Sequence, residues 1–158
     1  MCQESLVNYL VTELGDAVPR DDLVLFIRVG DLAIQNDTAK KDGTISYDYQ
    51  MHESIRTHAV KLDEALASIK ICDPAIGSGA FPVGMMQEIV KAREVLTTYL
   101  DNDGNRTSYN FKRHAIQECI YGVDIDPGAI DIAKLRLWLS LVVDEEDYHT
   151  IKPLPNLD

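Results

Sequence analysis

The residue types best suited to hold a small polar ligand cluster in one run, Ile71-Cys72-Asp73-Pro74-Ala75-Ile76-Gly77-Ser78-Gly79-Ala80-Phe81-Pro82. An apolar lead-in through Ala67, Ile69 and Ile71 predicts a short buried strand over 69–73, Asp73-Pro74 ends it, and Gly77-Ser78-Gly79 opens a helix. Such a turn needs glycines because a residue without a Cβ takes positive φ freely and lets a ligand lie against the backbone. The helix start leaves N–H groups without intrahelical partners, which favours a carboxylate or another polar ligand. A second candidate is Asp124, at the end of the apolar strand Cys119 to Ile125. A carboxylate can accept two hydrogen bonds from a cis-diol, and nucleoside-binding α/β folds place an acid at this point in the chain.

Spacing separates the ligand classes. A phosphate-binding loop would end in Gly-Lys-Ser/Thr, whereas Ala80-Phe81 follow Gly79. A dinucleotide fingerprint would need glycine at 82, which is proline, and an acid about 20 residues after the turn, much closer than Asp124. Nothing points to a metal. Cys2, Cys72 and Cys119 are odd in number, widely spaced and without a C-x-x-C pair, so buried free thiols are expected. His52 and His58 are six apart, not the four that a helical ligand pair needs, and are expected on the surface.

The elements that must position these residues follow from periodicity. Leu6, Leu10 and Leu14 predict a first helix over 1–14 that Gly15 stops. Pro19 and Asp21-Asp22 open a second, running to about Gly30 with Leu23, Val24, Phe26 and Ile27 buried. Residues 36–46 read as a surface loop, and Ile55, Ala59, Leu62 and Leu66 as one amphipathic helix over 49–68. A long helix from Pro82 to about Leu100 carries Met85, Ile89, Ala92 and Leu96, a turn cluster follows at 101–105, and a short helix over 111–118 returns to the second strand. Asp126 and Pro127 cap and start a helix to about Val143 that is apolar nearly all round, which predicts packing on more than one side. Asp144 to Asp147 read as a solvated acidic exit and 151–158 as extended chain.

Asp73-Pro74-Ala75-Ile76-Gly77-Ser78-Gly79-Ala80-Phe81 closely resembles motif I of the S-adenosylmethionine-dependent DNA methyltransferases that modify adenine N6, and every fixed position of that motif is met. Gly122-Val123-Asp124-Ile125-Asp126-Pro127, with Lys134-Leu135-Arg136-Leu137 after it, resembles motif II of the same enzymes, most closely in large fused restriction-modification enzymes of the type IIG kind and related phage-defence methylases. The resemblance implies an α/β fold, a partial Rossmann-like class I methyltransferase domain of parallel strands with flanking helices and an incomplete sheet. It implies residues 1–68 as an N-terminal helical segment and 69–158 as the cofactor-binding half. S-adenosylmethionine would be the cofactor: Asp73 near its ammonium, Ala75, Gly77, Ser78 and Gly79 as the backbone bed, Phe81 at the motif's end, Asp124 on the ribose and Ile125 on the adenine ring. No residue here is assigned a catalytic role. The Asn/Asp-Pro-Pro-Tyr/Phe motif that holds the flipped base is missing, since the sequence contains no Pro-Pro. The chain is therefore expected to be a fragment, inactive alone.

The composition fits that expectation. A chain of 158 residues with 46% hydrophobic residues can bury a core. No apolar run approaches the ~20 residues of a membrane span, and a cytoplasmic protein is expected. A formal charge of −11 makes the piece a poor DNA binder by itself, because gripping DNA means neutralising phosphates. DNA would be reached through other parts of the full-length protein, the remainder of the methyltransferase and a target-recognition domain. Two other readings compete: a noncatalytic scaffold that kept the fold, and an NAD-dependent oxidoreductase. The first should have lost Asp73, Gly77, Gly79 and Asp124; the second needs glycine at 82.

Overall fold

The computed structural model describes residues 1–43, 50–100 and 104–143. The first helix, α1, spans Cys2–Leu14 and ends at Gly15. The second, α2, spans Arg20–Lys41, with a kink at Val29 (φ −133°, ψ 16°). It thus runs past Gly30, and the loop expected from 36 begins later; residues 44–49 of that loop lie outside the described ones. Gly30 does not stop the helix. It lets another helix come close, since a Cβ there would lie 3.3 Å from the Val95 side chain, and a glycine is also a common place for a helix to kink.

The single helix expected over 49–68 is two helices, α3 (Glu53–Thr57) and α4 (Ala59–Ser68), broken at His58 (φ −105°, ψ 18°). Its four apolar positions, Ile55, Ala59, Leu62 and Leu66, are all buried as the spacing requires. Ala67 belongs to the last turn of α4, so the first strand, β1 (Ile71–Asp73), is shorter than its apolar lead-in suggested. Helix α5 spans Ala80–Thr97 and α6 spans Ser108–His114, followed by a π-helical turn, Ala115–Cys119. The second strand, β2 (Ile120–Gly122), pairs in parallel with β1 in the register Ile71↔Ile120, Cys72↔Tyr121, Asp73↔Gly122. Helix α7 spans Pro127–Val142, with Asp126 as its N-cap accepting from Gly128 N–H and Pro127 in its first turn. The acidic run 144–147, the tail 151–158 and residues 101–103 of the turn cluster lie outside the described residues.

Leu6 and Leu10 of α1, Leu23 and Phe26 of α2, Leu62 and Leu66 of α4, and Met86 and Ile89 of α5 share one core. Helix α1 is also tied by Tyr9, whose hydroxyl donates to Ala65 O at 3.1 Å, and Cys2 sits where a Cβ on Gly84 would meet its sulfur at 3.0 Å. Of the three thiols, Cys119 is buried, Cys2 half-buried and Cys72 exposed, so the expectation of buried thiols fails at Cys72. Strand β1 alternates, which turns Ile71 inward and Cys72 outward. Burial pushes the Cys119 thiol pKa up.

Packing of α7 on more than one side does not occur among the described residues. Ala133, Leu137 and Leu141 face the core. Ile132 (56%), Leu135 (54%), Leu139 (48%) and Val143 (80%) are exposed, because the layers that meet this helix, α5 and α6, lie against one stripe of it.

A charged clamp fastens the far end of the fold. Asp63 on α4 accepts from Arg93 Nε (2.9 Å) and Nη2 (3.3 Å) on α5, and from Arg106 Nη1 (3.0 Å) and Nη2 (2.8 Å), which precedes α6. The guanidinium carbons of Arg93 and Arg106 lie 4.4 and 5.1 Å from the Phe111 ring centre. Burial by itself would raise the Asp63 pKa, but the bonds from Arg106 and Arg93 together outweigh it and hold the carboxyl below its usual range.

Candidate functional site

The parallel register puts the ends of β1 and β2 side by side, and the backbone continues the pairing past both strands. Val123 N–H donates to Asp73 O and Ile76 N–H donates to Val123 O, each at 3.0 Å. The glycine turn and the residues after β2 therefore face one another at the carboxyl ends of adjacent strands, the place where open α/β sheets bind ligands. Gly122 allows that approach, for a Cβ there would stand 2.2 Å from Ile76 Cδ1.

Asp124 joins the two candidate runs directly. Its Oδ2 accepts from Gly77 N–H at 2.8 Å and its Oδ1 from Asp126 N–H at 3.0 Å. The N–H of Asp126, then that of Gly77, hold the carboxyl below its usual pKa range. A carboxylate has about four acceptor sites, so these two bonds leave capacity for a diol.

Around the turn, Asp73 Oδ1 accepts from Ala75 N–H at 3.2 Å, and Gly79 N–H donates to Ile76 O at 2.8 Å. Gly77 (φ 51°) and Gly79 (φ 76°) both take left-handed backbone. Gly79 is buried, and a Cβ on it would meet Ala133 Cβ at 3.0 Å, so the turn rests on α7. At Gly77 the same construction meets only Ala75 O, at 4.0 Å, and the space above the turn is open. The N–H groups of Ser78, Ala80 and Phe81 make no hydrogen bond within the described residues, leaving donors at the start of α5. Ser78 and Ala75 are exposed, Phe81 packs half-buried on the core, and Ile125 is 100% exposed.

The structure thus brings Asp73, Ala75, Gly77, Ser78, Gly79 and Asp124 together at the ends of β1 and β2, with Ile125 fully exposed beside Asp124, while Phe81 packs half-buried against the core. Sequence reasoning passed over Arg136, whose Nη1 lies 3.4 Å from both Ser78 O and Ser78 Oγ. No local signal in the sequence marks it; it shares a helix face with Ala133, whose contact with Gly79 the structure supplies. Beside the crevice, between β2 and α7, runs a mostly apolar groove of about 510 Å³ lined by Ile76, Ile116, Val123, Ile130, Lys134 and Leu137 among others. His52 is exposed beside Asp22 (3.3 Å) and His58 Nδ1 donates to Ser54 O (2.9 Å), so the two histidines do not meet. Among the described residues no helix is long and apolar enough to cross a membrane.

Set against known proteins, residues 118–157, which include β2, Asp124 and α7, match the family model of the Eco57I restriction-modification methylase. Over 121 residues the chain is 35% identical to a protein of Methanocaldococcus jannaschii named "Putative type II restriction enzyme and methyltransferase". That similarity covers 74% of this chain and 10% of the relative's length. No solved structure matches the chain.

Proposed function

We propose that this chain, which resembles restriction-modification methylases over most of its length, forms the S-adenosylmethionine seat of a DNA adenine-N6 methyltransferase, in a partial Rossmann-like domain. The observation that carries the reading is the bond between Asp124 and Gly77, which links the acid after β2 to the glycine turn after β1. The residues suit the group. The open backbone at Gly77 and the N–H groups of Ser78, Ala80 and Phe81 fit its amino-acid end, Asp124 has acceptor capacity for ribose hydroxyls, and Ile125 offers a bare apolar face to adenine. When bound, the sulfonium supplies an electrophilic methyl group. The role of these residues is to fix its orientation, which is where positioning lowers a transfer barrier.

Methyl transfer would need base-holding residues such as a Pro-Pro motif, which the sequence does not contain, so the chain is expected to bind cofactor without methylating DNA. Within the longer protein, DNA, the rest of the methyltransferase and a target-recognition domain would be its partners, in the cytoplasm.

Titration calorimetry tests the reading. The demethylated cofactor should bind measurably, NAD should not, and Asp124→Ala should weaken binding about tenfold or more, since both the ligand bonds and the hold on Gly77 go. Because the folded carboxyl titrates below its usual range, affinity should stay flat through neutral pH and fall only as acid protonates it. Equal affinity in the two proteins, or tighter binding of NAD, would overturn the assignment.

A further inference from the structure

The strands do not hold the tip of the glycine turn, Ser78. Ile76, Gly77 and Gly79 each donate their N–H to a partner on the strand side or within the turn. Ser78 stands between two glycines in left-handed backbone, where chain freedom is greatest. Its contacts come from α7, where Arg136 Nη1 reaches both its carbonyl oxygen and its hydroxyl at 3.4 Å. The same face of α7 carries Ala133, against which Gly79 rests.

We propose that Arg136 is a positioning residue for the cofactor site, holding Ser78 so that the turn is ordered before ligand arrives. The proposal rests on the reading that this turn seats S-adenosylmethionine. A distance of 3.4 Å is at the long end for such bonds, and Arg136 is exposed, so the tether is weak and acts on the tip alone. Ordering a Gly-Ser-Gly tip in advance lowers the entropy lost on binding. The arginine does this through Ser78 and not by touching the reacting atoms.

The test compares wild type, Arg136→Met, which keeps the apolar stem, and Arg136→Lys, which keeps a donor. In the ligand-free chain, exchange of the Gly79 amide, which is bonded to Ile76 O, should speed up about fivefold in Arg136→Met, the factor that one net hydrogen bond corresponds to. Amides of α5 beyond its first turn and of β1 should not change, and Arg136→Lys should restore most of the protection. Affinity for the demethylated cofactor should fall by a similar factor in Arg136→Met and recover in Arg136→Lys. Unchanged exchange at the tip in Arg136→Met, or a uniform rise across the chain with a lower unfolding midpoint, would overturn the role of Arg136. A wild-type chain that shows the expected exchange pattern but binds no cofactor would instead sink the cofactor reading and leave the hold of Arg136 on Ser78 standing.

Discussion

Replacing Asp63 with alanine should destabilise the chain by about 3 kcal/mol, read as a lower urea midpoint at unchanged slope. Asp63, Arg93 and Arg106 have side chains only 11–15% exposed. Removing the one carboxylate leaves two largely dehydrated guanidinium groups side by side, and their contacts with Phe111 do not neutralise them. Against a typical total of 5–15 kcal/mol this is a large share. The same clamp predicts acid sensitivity. Its carboxyl titrates below the unfolded value, so its stabilisation is fully present above that value, about pH 4, and is lost as pH falls through the folded pKa. Asp63→Ala should therefore flatten the acid limb of a stability-against-pH curve. An alanine variant as stable as wild type, with the same acid limb, would contradict the clamp's importance.

Gly79→Val should be nearly as costly, about 3 kcal/mol, from two separable causes. Left-handed backbone costs an L-residue about 1–2 kcal/mol, and a Cβ 3.0 Å from Ala133 Cβ and 3.2 Å from Ala133 Cα forces the turn away from α7. Unlike Asp63→Ala, this change should also move Asp124, because displacing the turn stretches the bond from Gly77 N–H. Calorimetry should then show cofactor affinity falling in Gly79→Val and not in Asp63→Ala. Gly77→Ala provides the control: it carries the left-handed cost in open space, so its stability loss should be about half as large.

Much of the frame was legible because its signals are local. The spacing of Leu6 and Leu10, the Asp126-Pro127 cap and start, and the Asp-Pro-Ala-x-Gly-Ser-Gly run each name an element from neighbouring residues, and the parallel strands were implied by the family resemblance. Where the reading failed, the deciding partner was distant. Gly30 reads as a stop until Val95 is known to lie against it. Nothing near Asp63 announces arginines 30 and 43 residues away. Helix α7 was expected to be covered because its composition is apolar all round, but composition describes the surfaces a helix offers and not which neighbour is present to cover them. At the candidate site the residues could be named, whereas the bond from Gly77 to Asp124 and the reach of Arg136 to Ser78 required coordinates.

The bond from Gly77 to Asp124 closes an excursion of 47 residues, while the ladder beside it has only three residue pairs. Helices α1, α2 and α5 can gather apolar contacts from short-range structure, but the crevice exists only after a long loop has closed, a step that is entropically costly and slow. The candidate site should accordingly be assembled late in folding and be the first region to open in the native state. A ligand that bridges the ends of β1 and β2 would act as a latch on that opening, and heat tolerance should rise with ligand concentration.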